Sequence, residues 1–552
     1  MKIKFDTKTL RIVSVILCLV FIFFLAFFSA KGDSATVDEP AHIAAGMIKL
    51  QYGDFNFFIE QPPLINSLSA VPVLLAGYKI KNNYFTPQNH WGYGRDFLYN
   101  SGNNAKTILL LARLPIIILF VILCCFFFFA TLKITKSFLI SFVGLILIGM
   151  EPNLMAHARL ATADLGATLF TFITIILFIK YLFYPKKFLV YTIGILAGLS
   201  LLTKISALII IPYFFIIILF FCLINKKDTV FVKKIFFDFS KILIITAFTI
   251  CFFYLLELTN KYITYEHGSN NLLNWLGSPI YEYLKSIKQI QRWVFENYNQ
   301  PQYLLGKFSF SGWWYYYPIA FILKTSILYS LLYFCSLFIM IYEFLYKKNR
   351  EKIIQILLYI NIFIFILFFV GMKSNLDIGI RYMLPTFPFI ILSICIFLFY
   401  LIKSKFFSYK TKVVLIAIIS IYSIFNNLST FPSYLSYFNE FISSQNKDKY
   451  LIDSNLDMEQ DVYRLENYLL QNNYIDPIYA DAAIFKHNTY FISSRVKSID
   501  SSDATEEGYY IVKRHNYICS QYYYPKSGSW PDMMKDAQLI KIIGDSIYVF
   551  KK

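Results

Sequence analysis

The sequence predicts an α-helical polytopic membrane protein of about eleven transmembrane helices with a small C-terminal α/β domain outside the membrane. Of its 552 residues 57 % are apolar and only 16 % charged, against about 45–50 % and 25 % in soluble globular proteins. Fifty-eight Phe and 43 Tyr add apolar surface that lipid, rather than an aqueous core, must solvate. The formal charge of +18 is uneven: beyond Phe431 there are 13 Lys+Arg against 16 Asp+Glu, which leaves +21 on the preceding part. That charge sits between apolar runs, where the positive-inside rule explains it. No nucleic-acid partner is expected.

Residues 12–30 follow a Lys-rich start and are nearly all apolar. The run is longer than a signal-peptide core of 7–15 residues and lacks a small-residue cleavage site, so it reads as a first span. Further spans of about 20 residues follow at 107–132, 138–155, 164–183, 188–203, 206–224, 239–258, 318–346, 353–371, 384–402 and 411–429. With the N-terminus cytoplasmic, every second connection is cytoplasmic, and these carry the Lys clusters 133/136, 186/187, 226–234, 347–352 and 403–412. An odd number of spans puts the C-terminus outside. Two outer loops are long, 31–106 and 259–317, and the apolar stretch 64–80 in the first reads as a helix lying in the interface.

Residues 1–430 thus form the membrane domain and 431–552 a soluble one. The latter has polar turns, an amphipathic helix near 458–471 and short strand-like runs such as PIYADAAIF, GYYIVKR and LIKIIGDSIYVF. About 120 residues bury a modest core. Seven of the eight Cys lie in apolar runs, where Cys acts as a small hydrophobe; Cys519 alone lies outside. No disulfide and no zinc spacing is expected.

Ionisable groups are costly in a bilayer and each marks a functional hypothesis. Arg113, Glu151, Asp164, Lys204, Glu257, Lys324, Lys373, Asp377 and Arg381 all fall at or just below the outer face. One-sidedness argues against a transporter, whose site lies near the midplane, and for chemistry at the outer boundary. Snorkelling or helix capping is the plain alternative for any single residue.

The first outer loop opens with TVDEPAHIAAG. Pro40 suits the first turn of a helix, which places Asp38 and Glu39 at its positive end. A carboxylate held there can take a proton from an acceptor hydroxyl; a helix cap without chemistry is the other reading. His42 with Glu60, His157 or His267 is a weaker divalent-metal pattern. LIDSNLDMEQD lines an acceptor groove or is a solvated turn and helix start.

The Asp-Glu pair, the EQPPL element (Glu60–Leu64), and the segments EPNLMAHARLATADLG, GLSLLTKISAL, LLGKFSFSGWWYYYPIAFILKT, LDIGIRYMLPTFPF and YLSYFNEF together resemble the GT-C superfamily of polyprenyl-phosphate-dependent glycosyltransferases, near the protein O-mannosyltransferase branch. The resemblance covers most of the chain. It implies inverting transfer of a mannose-like or other hexose from a polyprenyl-phosphate-linked donor to an extracytoplasmic protein, glycan or lipid acceptor. No cofactor is required, and a divalent metal is optional. Asp38 matches the catalytic carboxylate and Glu39 its partner; Lys204, Lys324 and Arg381 match the basic positions that hold the donor phosphate. Arg113, Arg159 and Asp164 lie in segments resembling donor-site or supporting positions.

The chemistry agrees with that assignment. A leaving phosphate develops negative charge that Lys and Arg stabilise, and it needs little help from an acid, so one carboxylate base suffices. Some residues depart from the pattern. Gln61 stands where His often precedes the Pro-Pro-Leu element. Trp313 and Trp314 are followed by Tyr315, so the Trp-Trp-Asp element of oligosaccharyltransferases is absent. The loop 259–317 is too short for the insert of the eukaryotic mannosyltransferases, which implies a bacterial cell membrane. A flippase or transporter of lipid-linked glycans is the alternative function.

Overall fold

The computed structural model describes residues 7–54, 56–81, 89–258, 281, 283–292, 300–472, 474, 476–482 and 496–552. The expected interior of the loop 259–317 and His267 lie outside the described residues, as does the side chain of Glu257.

Apolar runs fold as helices because lipid leaves no other partner for backbone N–H and C=O groups. In chain order the membrane part contains α1 (Thr7–Lys31), α2 (Glu39–Tyr52), α3 (Pro63–Leu75), α4 (His90–Arg95), α5 (Ala105–Thr135), α6 (Phe138–Gly149) and α7 (Pro152–Ala158). There follow α8 (Ala163–Phe183), α9 (Lys187–Thr203), α10 (Ile210–Ile224), α11 (Thr229–Leu258), α12 (Tyr316–Lys324), α13 (Ile327–Ile341), α14 (Lys352–Gly371), α15 (Phe387–Lys403) and α16 (Tyr409–Thr430).

Among the described residues nine helices are long and apolar enough to cross a bilayer, and ten if the bent pair α6–α7 counts as one span. The expected eleventh, α9, has 17 residues, or about 26 Å at 1.5 Å per residue. Two expected spans are broken. The run 138–155 turns by 60° between α6 and α7, where Glu151 caps the new helix and Pro152 starts it; Pro has no N–H to continue the preceding ladder. The run 318–346 breaks at Thr325 and Ser326, both extended. α3 has 13 residues, about 20 Å, too short to span.

Contacts sort the helix termini to two ends of the bundle. At one end Arg11 lies over the ring of Phe138, the Lys352 ammonium donates to the Tyr184 hydroxyl (3.0 Å), and the Asn225 amide donates to Gln355 (2.9 Å). The Lys-rich connections leave from there. At the other end Lys204 meets Asp164 and the Asn153 amide donates to the Lys324 carbonyl. Ser34 and Val37 donate their N–H groups to the Gln460 and Met458 carbonyls (3.0 Å each), which fixes the C-terminal part beyond the end of α1 remote from the N-terminus.

That part carries α17 (Val462–Gln471), α18 (Arg514–Tyr523) and α19 (Trp530–Met533) around a mixed sheet of order β4-β3-β5-β7-β6, made of Ile478–Asp481 (β3), Val496–Ile499 (β4), Tyr509–Lys513 (β5), Gln538–Ile543 (β6) and Ile547–Lys551 (β7). A separate hairpin pairs β1 (Gln302–Leu304) with β2 (Lys307–Ser309). β3 runs parallel to β4 and β5, whereas β7 is antiparallel to β5 and β6. One face buries Leu465, Ile511 and Val549, the other Tyr510, Trp530 and Phe550. Tyr434, Leu435, Phe438, Leu451 and Leu456 pack instead into the core of the helical bundle.

α2 and α3 pack so closely that a Cβ on Gly46 would stand 1.9 Å from the Asn66 carbonyl oxygen. Backbone cannot yield as a side-chain tip can. Gly46→Ala is therefore expected to destabilise the protein by about 1–3 kcal/mol, read as a lower melting temperature in detergent; Gly32→Ala, where an added Cβ meets nothing nearer than Arg464 at 3.7 Å, tests for a non-specific effect.

Candidate functional site

The site is built on the segment between α1 and α2. Glu39, fully buried, receives two hydrogen bonds from Arg113 (Nε to Oε1, 2.7 Å; Nη2 to Oε2, 2.6 Å). It also accepts from the Ala161 N–H (2.8 Å), the Thr36 N–H (2.9 Å) and the Thr36 hydroxyl (3.1 Å). Burial alone would raise its carboxyl, but Arg113 and the two backbone donors outweigh it and hold Glu39 below the ordinary glutamate value. Arg113 spends its other N–H groups on the carbonyls of Ala30, Asp33 and Ser34.

Asp33 is bound from two directions. Arg159 pairs with one of its oxygens and also donates to the Ser29 carbonyl; Arg464 of α17 donates to the other (2.5 Å). Glu39, Arg113 and Arg159, expected to act on substrate or beside it, thus form a buried frame. Glu39, expected as the partner of the catalytic carboxylate, has both oxygens occupied by these five donors.

The frame aims the neighbouring residue elsewhere. Asp38 is the N-cap of α2, yet its side chain makes no capping bond; it pairs with Arg381. Asp38 is 17 % exposed and Arg381 13 %, whereas Glu39 and Arg113 are 0 % and 1 %. Lys204 donates to Asp164 (2.6 Å) and lies 4.4 Å from the ring centroid of Tyr382. Arg381 lies within electrostatic reach of Asp164, and Asp38 and Asp164 both act on His42. Burial keeps the His42 ring below its ordinary value against those two carboxylates, and its Nδ1 shares a 2.6 Å hydrogen bond with Asn66. The structure therefore brings Asp38, Asp164, Lys204 and Arg381 into one partly exposed cluster of two carboxylates and two cations. The Arg381 Nε is buried without a partner, an arrangement that costs about 1–3 kcal/mol and that a ligand oxygen would relieve.

Lys324 does not join them. It is 1 % exposed, donates to the carbonyls of Leu435 (2.9 Å) and Asn455 (2.5 Å), and lies over the Phe438 ring. With two carbonyls and a ring as neighbours Lys324, expected among the cations that hold the donor phosphate, ties α12 to the segment that follows α16 and lies apart from Lys204 and Arg381. Asn455 continues the tie by accepting the Ile380 N–H (3.0 Å) next to Arg381. Asn455 thereby serves as a strut for the site rather than a groove residue.

Sequence reasoning passed over Asp33 and Tyr382. Asp33 lies five residues before the Asp-Glu pair, and Tyr382 directly follows Arg381; neither position carries a spacing that would single it out. Among the described residues no three His, Cys, Asp or Glu converge as metal ligands, and His42 is engaged by Asn66.

No family model matches the chain, and no curated protein matches it. Among solved structures, the Saccharomyces cerevisiae protein O-mannosyltransferase Pmt1-Pmt2 complex bound to the sugar donor aligns with a TM-score of 0.56 at 11 % identity, over 77 % of this chain and 90 % of that one. ArnT from Cupriavidus metallidurans bound to undecaprenyl phosphate aligns over 97 % of both chains at 11 % identity with a TM-score of 0.45. The Archaeoglobus fulgidus oligosaccharyltransferase AglB, in complex with an inhibitory peptide and a dolichol-phosphate, aligns over 95 % of this chain and 72 % of that one at 11 % identity and 0.47. The chain has the GT-C fold.

Removing one member of the buried frame leaves an uncompensated charge. Arg113→Ala is expected to cost about 3–5 kcal/mol, seen as lost folding yield or thermal stability in detergent, while Asp38→Asn changes stability little. Because the Glu39 carboxyl is held below its ordinary value of 4.5, its contribution is fully present above that pH and is lost as pH falls below it. Glu39→Gln should remove that part of the acid dependence of the melting temperature.

Proposed function

On the GT-C fold and the cluster at one end of its bundle, we propose that the protein is a membrane glycosyltransferase that moves a hexose, mannose-like in kind, from a polyprenyl-phosphate-linked donor to an acceptor hydroxyl. The observation that carries the reading is the division of labour between adjacent carboxylates. Glu39 is consumed by the frame, and Asp38 is left at a partly exposed edge beside Arg381 and near Lys204.

The donor's tail stays in lipid and its phosphate rests at the end of the helices, where Arg381 and Lys204 take up the charge now answered by Asp38 and Asp164. Arg381 suits this because a guanidinium carries five donors. One is committed to Asp38, and its Nε has no partner. Displacement of the Asp38–Arg381 pair by phosphate turns Asp38 toward the acceptor. The acceptor oxygen then bonds to the anomeric carbon on the face opposite the phosphate, its proton passes to Asp38, and the carbon–oxygen bond to phosphate breaks. The products are the glycoside, inverted at that carbon, and polyprenyl phosphate. Cations beside the departing oxygen stabilise its growing charge.

Orientation follows from charge. The Lys-rich end of the bundle faces the cytoplasm of a bacterial cell, and the Asp38 cluster and the C-terminal part face outward.

The reading is tested with purified protein in nanodiscs and polyprenyl-phosphate-mannose, by following sugar transfer or donor hydrolysis. Asp38→Asn is expected to lower turnover by about 10²–10⁴-fold, the usual worth of a general base. Its donor affinity should be equal to or higher than that of the native protein, because Arg381 loses a competing anion. Arg381→Ala and Lys204→Ala should weaken donor binding. Full turnover in Asp38→Asn, or transbilayer movement of donor without cleavage, would overturn the proposal.

A further inference from the structure

A polar cavity of about 410 Å³ opens between the outer end of α16 and the turn joining β6 to β7. Its volume falls in the range of about 300–1,000 Å³ that small-molecule sites occupy, and it is separate from the Asp38 cluster. Asn426, Ser429 and Thr430 of α16 line one wall, Asn439 and Ser444 another. The tight turn at Gly544 and Asp545, both at positive φ, brings the sheet up to close the third.

The charges in this cavity answer one another. The Lys447 ammonium donates to Asp545 (2.5 Å). Glu440 accepts the Ile327 N–H (3.1 Å) through one oxygen and the Tyr422 hydroxyl through the other. No cation in the lining is left to answer an anion, and the three charges sum to −1, so a phosphate or carboxylate ligand is disfavoured. What remains available is hydroxyl and amide chemistry. Ser429 and Thr430 both give their protons to the Asn426 carbonyl (2.9 and 2.8 Å) and Ser444 gives its own to Asp545, so all three keep acceptor lone pairs; Asn426 and Asn439 commit one amide proton each, to the Tyr437 hydroxyl (3.0 Å) and the Ile322 carbonyl (2.6 Å), and carry a second. Phe431, 40 % exposed, sits in the same wall and offers an apolar face.

Three hydroxyl acceptors and two amide groups beside one aromatic face suit a neutral ligand that has hydroxyls on its rim and C–H groups on its faces. We propose that this cavity is a binding site for neutral saccharide, reached by a free glycan or by the sugar headgroup of a membrane glycolipid, since the outer end of a spanning helix forms its wall. The inference does not rest on the transferase reading. The two sites are nonetheless connected: Phe438 lines the cavity and lies 4.8 Å from the Lys324 ammonium, and Lys324 reaches Asn455, which holds the backbone next to Arg381.

The test uses the full-length protein in nanodiscs. One arm titrates maltotriose and mannotriose by calorimetry; the other measures retention of monoglucosyl diacylglycerol by native mass spectrometry. Ser429→Trp and Ser444→Trp, at exposed positions on two walls, are each expected to weaken binding at least about tenfold, while Arg381→Ala leaves it unchanged. Binding of a free trisaccharide assigns the cavity to soluble glycan, and retention of the glycolipid alone assigns it to a headgroup. The proposal fails if neither probe binds the native protein, if binding survives both tryptophan variants, or if inorganic phosphate displaces the sugar.

Discussion

The buried pair of Arg113 and Glu39 is the constraint from which the site follows. A guanidinium and a carboxylate removed from water lose several kcal/mol of hydration each, which only near-complete hydrogen bonding offsets. Here the accounting closes: Glu39 has five donors and Arg113 donates to three carbonyls besides Glu39. Those carbonyls belong to residues 30–34, so one ion pair fixes the exit of α1, the entry of α2 and the Ala161 turn before α8 together. Successive residues on a helix point about 100° apart. Holding Glu39 inward therefore leaves Asp38 directed at a different neighbour, Arg381.

Breaks in the spans serve the same end. A straight helix through 138–155 would carry Glu151 onward along the membrane normal; the 60° bend lets α7 turn beneath the segment after α16. The interruption after Lys324 lets α12 end against Leu435 and Asn455. Both breaks lie at the end of the bundle where the charges gather, and irregular backbone is tolerated there because protein rather than lipid surrounds it. Uninterrupted helices such as α5 and α16 form the scaffold that holds them.

Much of this architecture is legible in the sequence, because spans are specified by length and hydropathy alone. Asp38 is legible from its place before Pro40, and Lys204, Asp164 and Arg381 from ionisable side chains at matching depth. Glu39 and Lys324 were legible as charges but not as to their partners. Nothing local distinguishes two adjacent carboxylates, and the carbonyls that engage Lys324 come from residues 111 and 131 positions later in the chain. Asp33 escaped for the same reason: its partners Arg159 and Arg464 are set by the packing of three separate elements.

Lys324 also bears on how such a protein is made. Membrane insertion proceeds from the N-terminus, so α12 is in place while the segment carrying Leu435 and Asn455 is still to be synthesised. Until the chain passes Leu435 neither of the carbonyls that receive the ammonium exists, and until it passes Asn455 only one of them does. The seat of Lys324 is thus completed only by chain that lies 111 and 131 positions further on.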